Sequence, residues 1–357
     1  SSFDEENEYR GKMLWGSDVH YYNGKYLLCG AYEWFGEIIG NTPFIVESDN
    51  PSGKFSNFRW VTGNKSNKRI DGITFKVFVE KDGTRYAIWA PTALPAEKNH
   101  LMVAKLADDN VIDEDCMKNL GNLHDFYEGP SIRKRGDTYY LIYDENCGRI
   151  TKDNHTPKRL SYATSKDITG DYVYRGVILT IEDLPGNSNI QGSIEEFHGQ
   201  WYVFYHRAPN AQWNRRALCV EKISFDRDGL IIPVEPSSSG IAEGLNTSKP
   251  IYFNTSVIQK NCKFSGKVGK YGGAIVKDSA EIGFRYVSLT GREKKISLQG
   301  EGLENISKVT VTANGTIIGQ GVGGEDIQLE NVEEGKAELV FNITSNGEAK
   351  LETLRFF

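Results

Sequence analysis

A chain of 357 residues, 25% of them charged and with a net charge of −6, is long enough for a large core and for two domains. It carries no basic stripe, which argues against nucleic acid as a partner, and no apolar run approaches the roughly 18 residues of a membrane span. The 18 Tyr, 17 Phe and 6 Trp suit a β-rich core and also sugar-stacking surfaces.

The first residues, SSFDEENEYRGK, are polar, look like a mature or trimmed start and hold no signal peptide. From Leu14 a unit repeats. DVHYYNGKYLLCG from Asp18, KVFVEKDGTRYAIWA from Lys76, EGPSIRKRGDTYYLIYD from Glu128 and SIEEFHGQWYVFYHR from Ser193 each read as strand, polar turn, aromatic-rich strand. The turns hold Asn23-Gly24, Asp82-Gly83, Arg135-Gly136 with Asp137, and His198-Gly199. Asn-Gly and Asp-Gly between alternating runs signal tight hairpins, because both central residues of a type I′ turn need φ > 0. The four hairpins recur about every 53–63 residues, a period that predicts a β-propeller of four-stranded blades.

Three acids stand just ahead of these repeats: Asp18 in LWGSDVHYY, Asp71 in KRIDGITFKVF and Glu128 in FYEGPSIRKR. In a propeller, loops at one end of the central channel converge, so the three are expected at equivalent places around one funnel. Converging carboxylates shift one another's pKa values, so that one holds a proton while another stays ionised. Glycoside hydrolysis needs such a pair. A lone Asp before a strand also serves as a turn or cap residue. Glu128 is harder to explain that way, since Glu is a poor turn former and Gly129-Pro130 fixes the backbone behind it.

The repeat pattern ends near Val234. EPSSSGIAEGLNTSKP follows, rich in Ser, Gly and Pro, and reads as an exposed linker over 236–250. Residues 1–235 are therefore expected as the propeller and 251–357 as a β-sandwich, from short alternating pieces such as SKVTVTANGTIIGQG. The five cysteines are widely spaced, with no Cys-x-x-Cys or Cys/His cluster. Mostly free thiols and no zinc site are expected.

The set WGSD, NPSGKF, RIDGITFKVFVEKDG, EGPSIRKRGDTYYLIY and GSIEEFHGQWYVFYHR resembles glycoside hydrolase family 43, over roughly Leu14 to Val234. The resemblance implies a five-bladed propeller, of which four blades are recognisable here. It implies an inverting glycosidase of the β-xylosidase, α-L-arabinofuranosidase or arabinanase type, acting on xylose- or arabinose-containing plant polysaccharides or oligosaccharides. It further implies Glu128 as the general acid and Asp71 as the carboxylate that orients it and tunes its pKa. Arg216, with Arg215 as its rival, Gln191 and Trp15 are the implied substrate-binding residues.

Two departures stand out. Gln191 occupies the place of an axial histidine, which weakens a histidine–metal arrangement. The family's general base lies in an Asp-Pro motif on a first blade, whereas the hairpin from Leu14 matches the second. Asp18 enters the same funnel and is the candidate base within the chain, ahead of Asp4. A non-catalytic carbohydrate-binding propeller is therefore the alternative function. No cofactor is required by this chemistry, and there is room for a structural calcium. The C-terminal stretch AIVKDSAEIGFRYVSL and the closing LETLRFF resemble a carbohydrate-binding module of family 6, which either binds glycan or packs on the propeller. The expected location is extracellular or periplasmic.

Overall fold

The computed structural model describes residues 14–34, 40–91, 100–121, 123–145, 159–181, 184, 190–207, 216–265 and 272–357. Over these residues the protein is all-β, a set of propeller blades followed by a β-sandwich. The helical segments among them are single 3-10 turns, and no helix is long and apolar enough to cross a membrane.

The first blade contains β1 (Leu14–Tyr22), β2 (Lys25–Trp34), β3 (Gly40–Ser48) and β4 (Ser56–Trp60), paired in that order. A short β5 (Thr62–Gly63) leads to the second, built from β6 (Ile73–Val79), β7 (Arg85–Ala90) and β8 (Met102–Lys105), then β9 (Val111–Ile112) on β5 and β10 (Lys118–Asn119) on β8. The third holds β11 (Phe126–Arg135), β12 (Thr138–Glu145), β13 (Arg159–Ser165) and β14 (Val173–Thr180). The fourth holds three strands among the described residues: β15 (Gly192–Phe197), β16 (Gln200–Arg207) and β17 (Ala217–Ile223). Asn23-Gly24 and His198-Gly199 each carry positive φ at both residues, so the expected type I′ hairpins form.

The chain divides into two compact units. The first comprises the described residues through Glu145, with Ser161–Gly176 and Gln191–Ser193; the second comprises the remainder. In the first unit, blades pack face to face through alternate residues. Leu27, Ile45, Phe75, Val77, Ala87 and Trp89 form one buried layer, and Ile88, Val103, Ile132, Leu141 and Tyr143 contribute to the next. Each such leucine, isoleucine, valine or phenylalanine contributes about 1.5–3 kcal/mol on burial, and the layers pack β6 and β11 against the strands of neighbouring blades.

In the second unit the sandwich pairs two sheets. One runs Leu245–Asn246, Ser279–Leu289, Gly335–Ser345, Ile306–Ala313, Thr316–Gly321; the other runs Lys263–Ser265, Gly273–Val276, Ala349–Phe356, Lys295–Glu301, Ile327–Gln328. Strict alternation explains the packing: Ala337, Leu339, Phe341 and Ile343 all face inward from one strand. Phe253, Phe284 and Phe341 meet at its centre with ring centroids 5.6–6.2 Å apart. The stretch 236–250, expected as an exposed linker, is docked. Ser237 is buried, donating its amide to Glu221 Oε1 (2.7 Å) and its hydroxyl to Oε2 (2.8 Å), and Leu245–Asn246 pairs in parallel with Val287–Ser288. Cys29, Cys116, Cys219 and Cys262 are free thiols; Cys147 lies outside the described residues.

Candidate active site

The inner strands of the first three blades open with the same irregularity. On β1, Trp15 pairs with Ala31, the register slips, and Asp18 pairs with Cys29. On β6, Ile73 pairs with Ala90 and Lys76 with Ile88. On β11, Glu128 pairs with Asp144 and Ser131 with Ile142. In each bulge the residue after the outer pair has positive φ: Gly16 at 57°, Thr74 at 56° and Gly129 at 65°. A bulge inserts a residue, bends the strand and re-aims a side chain. That explains how Glu-Gly-Pro sits inside a strand: Glu128 occupies the outer side of the bulge, at the strand's mouth.

The three acids are thus not equivalent, contrary to the expectation from sequence. Glu128 matches Trp15 and Ile73 in register, whereas Asp18 matches Lys76 and Ser131, past the bulge and inside the strand. Asp71 lies two residues before Ile73.

Glu128 is half-buried and accepts a hydrogen bond from Gln191 Nε2 at 3.1 Å. Gln191 directly precedes β15, so the structure joins two residues 63 apart in sequence. Gly129 is required between them. A Cβ there would fall 2.7 Å from Gln191 Cγ, and φ is positive as well. Gly129→Ala is expected to cost about 1–2 kcal/mol and to push Gln191 off Glu128. Activity should fall further than stability does, as read by kcat against an unfolding midpoint; unchanged kcat would refute the contact's importance.

Asp71 is half-buried on a backbone fixed from both sides, with Ile70 N donating to Val61 O at 3.0 Å ahead of it. Gly72 N donates to Asn41 O at 2.9 Å, and a Cβ on Gly72 would strike Trp89 Cδ1 at 2.4 Å. Thr74, a buried β-branched residue held at φ 56°, follows; strained backbone of this kind collects at functional sites.

Asp18 faces cations. Its Oδ1 accepts from Val19 N at 2.9 Å and lies 3.8 Å from Arg133 Nη2. Lys76 Nζ donates to the Ser17 carbonyl at 2.9 Å, and burial pushes the Lys76 pKa down against the pull of Asp18. His20 follows on the same face. Both ring nitrogens are buried without a partner, and burial lowers its pKa to about 4, with Arg85 and Arg133 adding to the effect and Asp18 opposing it.

Arg216 is exposed just ahead of β17, in the second compact unit. The Trp15 side chain, Arg215 and Asp4 lie outside what is described. One residue of the site was not anticipated: Asp144, fully buried on β12 directly opposite Glu128. Its only sequence signal is an acid closing the apolar run TYYLIYD. Among the described residues His124, Asp125 and Glu145 bring ligand atoms within 4.8 Å of one another. Glu145 Oε2 already accepts from Ser161 Oγ (2.5 Å) and Tyr174 Oη (2.8 Å).

Propeller blades with an acid set at the mouth of an inner strand, followed by a sandwich, define a β-propeller protein with a candidate carboxylate site. The chain belongs to glycosyl hydrolases family 43, whose sequence profile matches residues 2–231, and is a glycoside hydrolase. A xylosidase/arabinosidase of Thermoclostridium stercorarium is 32% identical over 330 residues, covering 77% of this chain and 68% of that protein. An extracellular endo-alpha-(1->5)-L-arabinanase of Bacillus subtilis is 25% identical over 205 residues, covering 54% of this chain and 56% of that protein. The solved β-xylosidase RS223 superposes with a TM-score of 0.50 at 24% identity, over 64% of this chain and 75% of that one, a likeness of fold.

Proposed function

We propose that the chain is an inverting glycosidase acting on xylose- or arabinose-containing plant polysaccharides or their oligosaccharides, outside the cell or in the periplasm. The observation that carries this is Glu128, set by a bulge at the mouth of β11 and held by Gln191. The names of the relatives in Thermoclostridium stercorarium and Bacillus subtilis support the sugars, and the second also the location. Glu128 gives its proton to the departing glycosidic oxygen. Asp71, on its fixed backbone, orients that acid. Gln191, Arg216 and Trp15 contact substrate. The organisation proposed is a propeller over 1–235, the docked segment 236–250 and a sandwich over 251–357.

Inversion needs a second carboxylate about 6.5–9.5 Å from the acid, with a water between them that attacks the opposite face of the sugar. Asp18 supports this role poorly, since its carboxylate is turned to Val19 N and Arg133 inside the strand. Its charge offsets that of Arg133 and Lys76. Asp18→Asn is expected to leave kcat within about threefold and to lower stability by about 1 kcal/mol. A loss as deep as that of Glu128→Gln, rescued by azide, would instead make Asp18 the base.

The same engagement of Asp18 favours the second reading, a propeller that binds glycan without cleaving it. Release of xylose or arabinose from xylo- and arabino-oligosaccharides separates the two: hydrolysis supports the enzyme, and binding without hydrolysis supports the alternative. Two carboxylates and a water suffice for the chemistry, so no step passes through a metal. Asp125 and Glu145 would offer a structural calcium its oxygen donors, whereas His124 suits softer ions.

A further inference from the structure

The first unit has a second polar site, at the end of its sheets away from Glu128. β6 begins beyond Asp71 and ends at Val79, and Arg85 starts the return strand. Seven strand residues at about 3.3 Å each set Asp71 and Arg85 roughly 20 Å apart. A cavity of about 160 Å³ opens at the Arg85 end, lined from β1 to β4, the start of β7 and the 108–110 turn.

Arg85 lines the cavity with a side chain 2% exposed. Its Nη1 donates to Asn110 Oδ1 at 3.2 Å, Nη2 donates to the Ala107 carbonyl, and the guanidinium lies 4.7 Å from the Tyr22 ring centroid. Its Nε–H has no partner, and a buried donor left unmet is costly. Tyr22 Oη donates to Asp108 Oδ1 at 2.7 Å, and Asp108 is 3.8 Å from Arg85. Glu47, bonded to Asn57 at 2.5 Å, and the exposed Arg59 complete the lining.

The charges here nearly cancel. Lys25 is taken by Asp49 at 2.7 Å, leaving Arg59 and Arg85 against Glu47 and Asp108. An ionic ligand of either sign gains little from such a balance. Paired planar donors and acceptors instead match the vicinal hydroxyls of a sugar ring, and the volume holds about one ring.

We propose that this cavity is a second, non-catalytic saccharide site that takes one sugar residue of a glycan chain, away from Glu128. The proposal shares the substrate class of the proposed function but does not need cleavage. Bound glycan at Arg85 keeps a polymer on the enzyme while another segment of chain occupies the funnel.

Hydrogen exchange with xylohexaose and with arabinohexaose as probes tests it, on the full chain carrying Glu128→Gln so that the probe is not consumed. At least one of the two probes should slow exchange in segments 22–27 and 104–110. The double change Arg59→Ala, Asp108→Asn keeps an acceptor for Tyr22 and should raise the apparent Kd for that protection about tenfold. In the otherwise unchanged enzyme, the same double change should leave hydrolysis of an aryl glycoside intact. Undiminished protection in the double variant, or no protection of segments 22–27 and 104–110 in the Glu128→Gln chain at saturating concentrations of both probes, overturns the site. A chain that shows this protection yet hydrolyses nothing would sink the proposed function and leave the second site standing.

Discussion

Glu128→Gln is expected to cut turnover of an unactivated xyloside or arabinoside by about 10²–10⁴-fold, the usual cost of a lost general acid. That loss is about 3–5 kcal/mol of transition-state stabilisation. Glutamine keeps the size and an acceptor for Gln191 Nε2, so the unfolding midpoint should barely move. The leaving group discriminates. A dinitrophenyl glycoside releases a phenolate stable without a proton, so on it the variant should approach the parent. An equal loss on both substrates would mean that Glu128 positions substrate and does not donate the proton.

The second large effect is one of stability. His20 is held neutral, its pKa lowered from near 6.5 to about 4, first by burial. Between those values the unfolded chain binds a proton that the folded chain refuses, so stability is full above pH 6.5 and falls with pH through about 4. At 1.36 kcal/mol per unit, the loss through His20 alone reaches about 3 kcal/mol. Both ring nitrogens lack partners, so His20→Leu removes the titration without stranding a hydrogen bond. Urea unfolding of parent and variant at pH 7.5, 5.5 and 4.5 should show the parent declining more steeply. Parallel declines would show that His20 titrates alike in both states.

The hairpins were legible because their chemistry is local. Asn23-Gly24 and Asn314-Gly315 demand positive φ at both residues and have it. The sandwich was legible from alternation, as in Gly335–Ser345. Glu128 stood out because Glu, Gly and Pro each resist a strand interior, and the bulge is what reconciles them. The place of Asp18 was not legible. A bulge shifts register by one residue; its positive φ falls on Gly16 and Gly129 but on Thr74 in β6, where no sequence rule expects it, so the three strands do not align by their glycines. Asp144 was hidden for a different reason: a buried acid at the end of an apolar run gains meaning only from the residue across the ladder. The segment 236–250 has the composition of a tether, yet Ser237 is buried on Glu221. Small polar residues suit a docked segment whose backbone finds side-chain acceptors as well as they suit a free one.

The central claim is that this glycoside hydrolase inverts its substrate, with Glu128 as the acid. Proton NMR of the sugar released in the first minutes, before mutarotation, tests that most directly. The account predicts that the first anomer to appear is opposite in configuration to the glycoside cleaved, and that Glu128→Gln abolishes its appearance. A first product of retained configuration would contradict it, since retention needs a carboxylate nucleophile about 5–5.5 Å from the acid and a covalent intermediate.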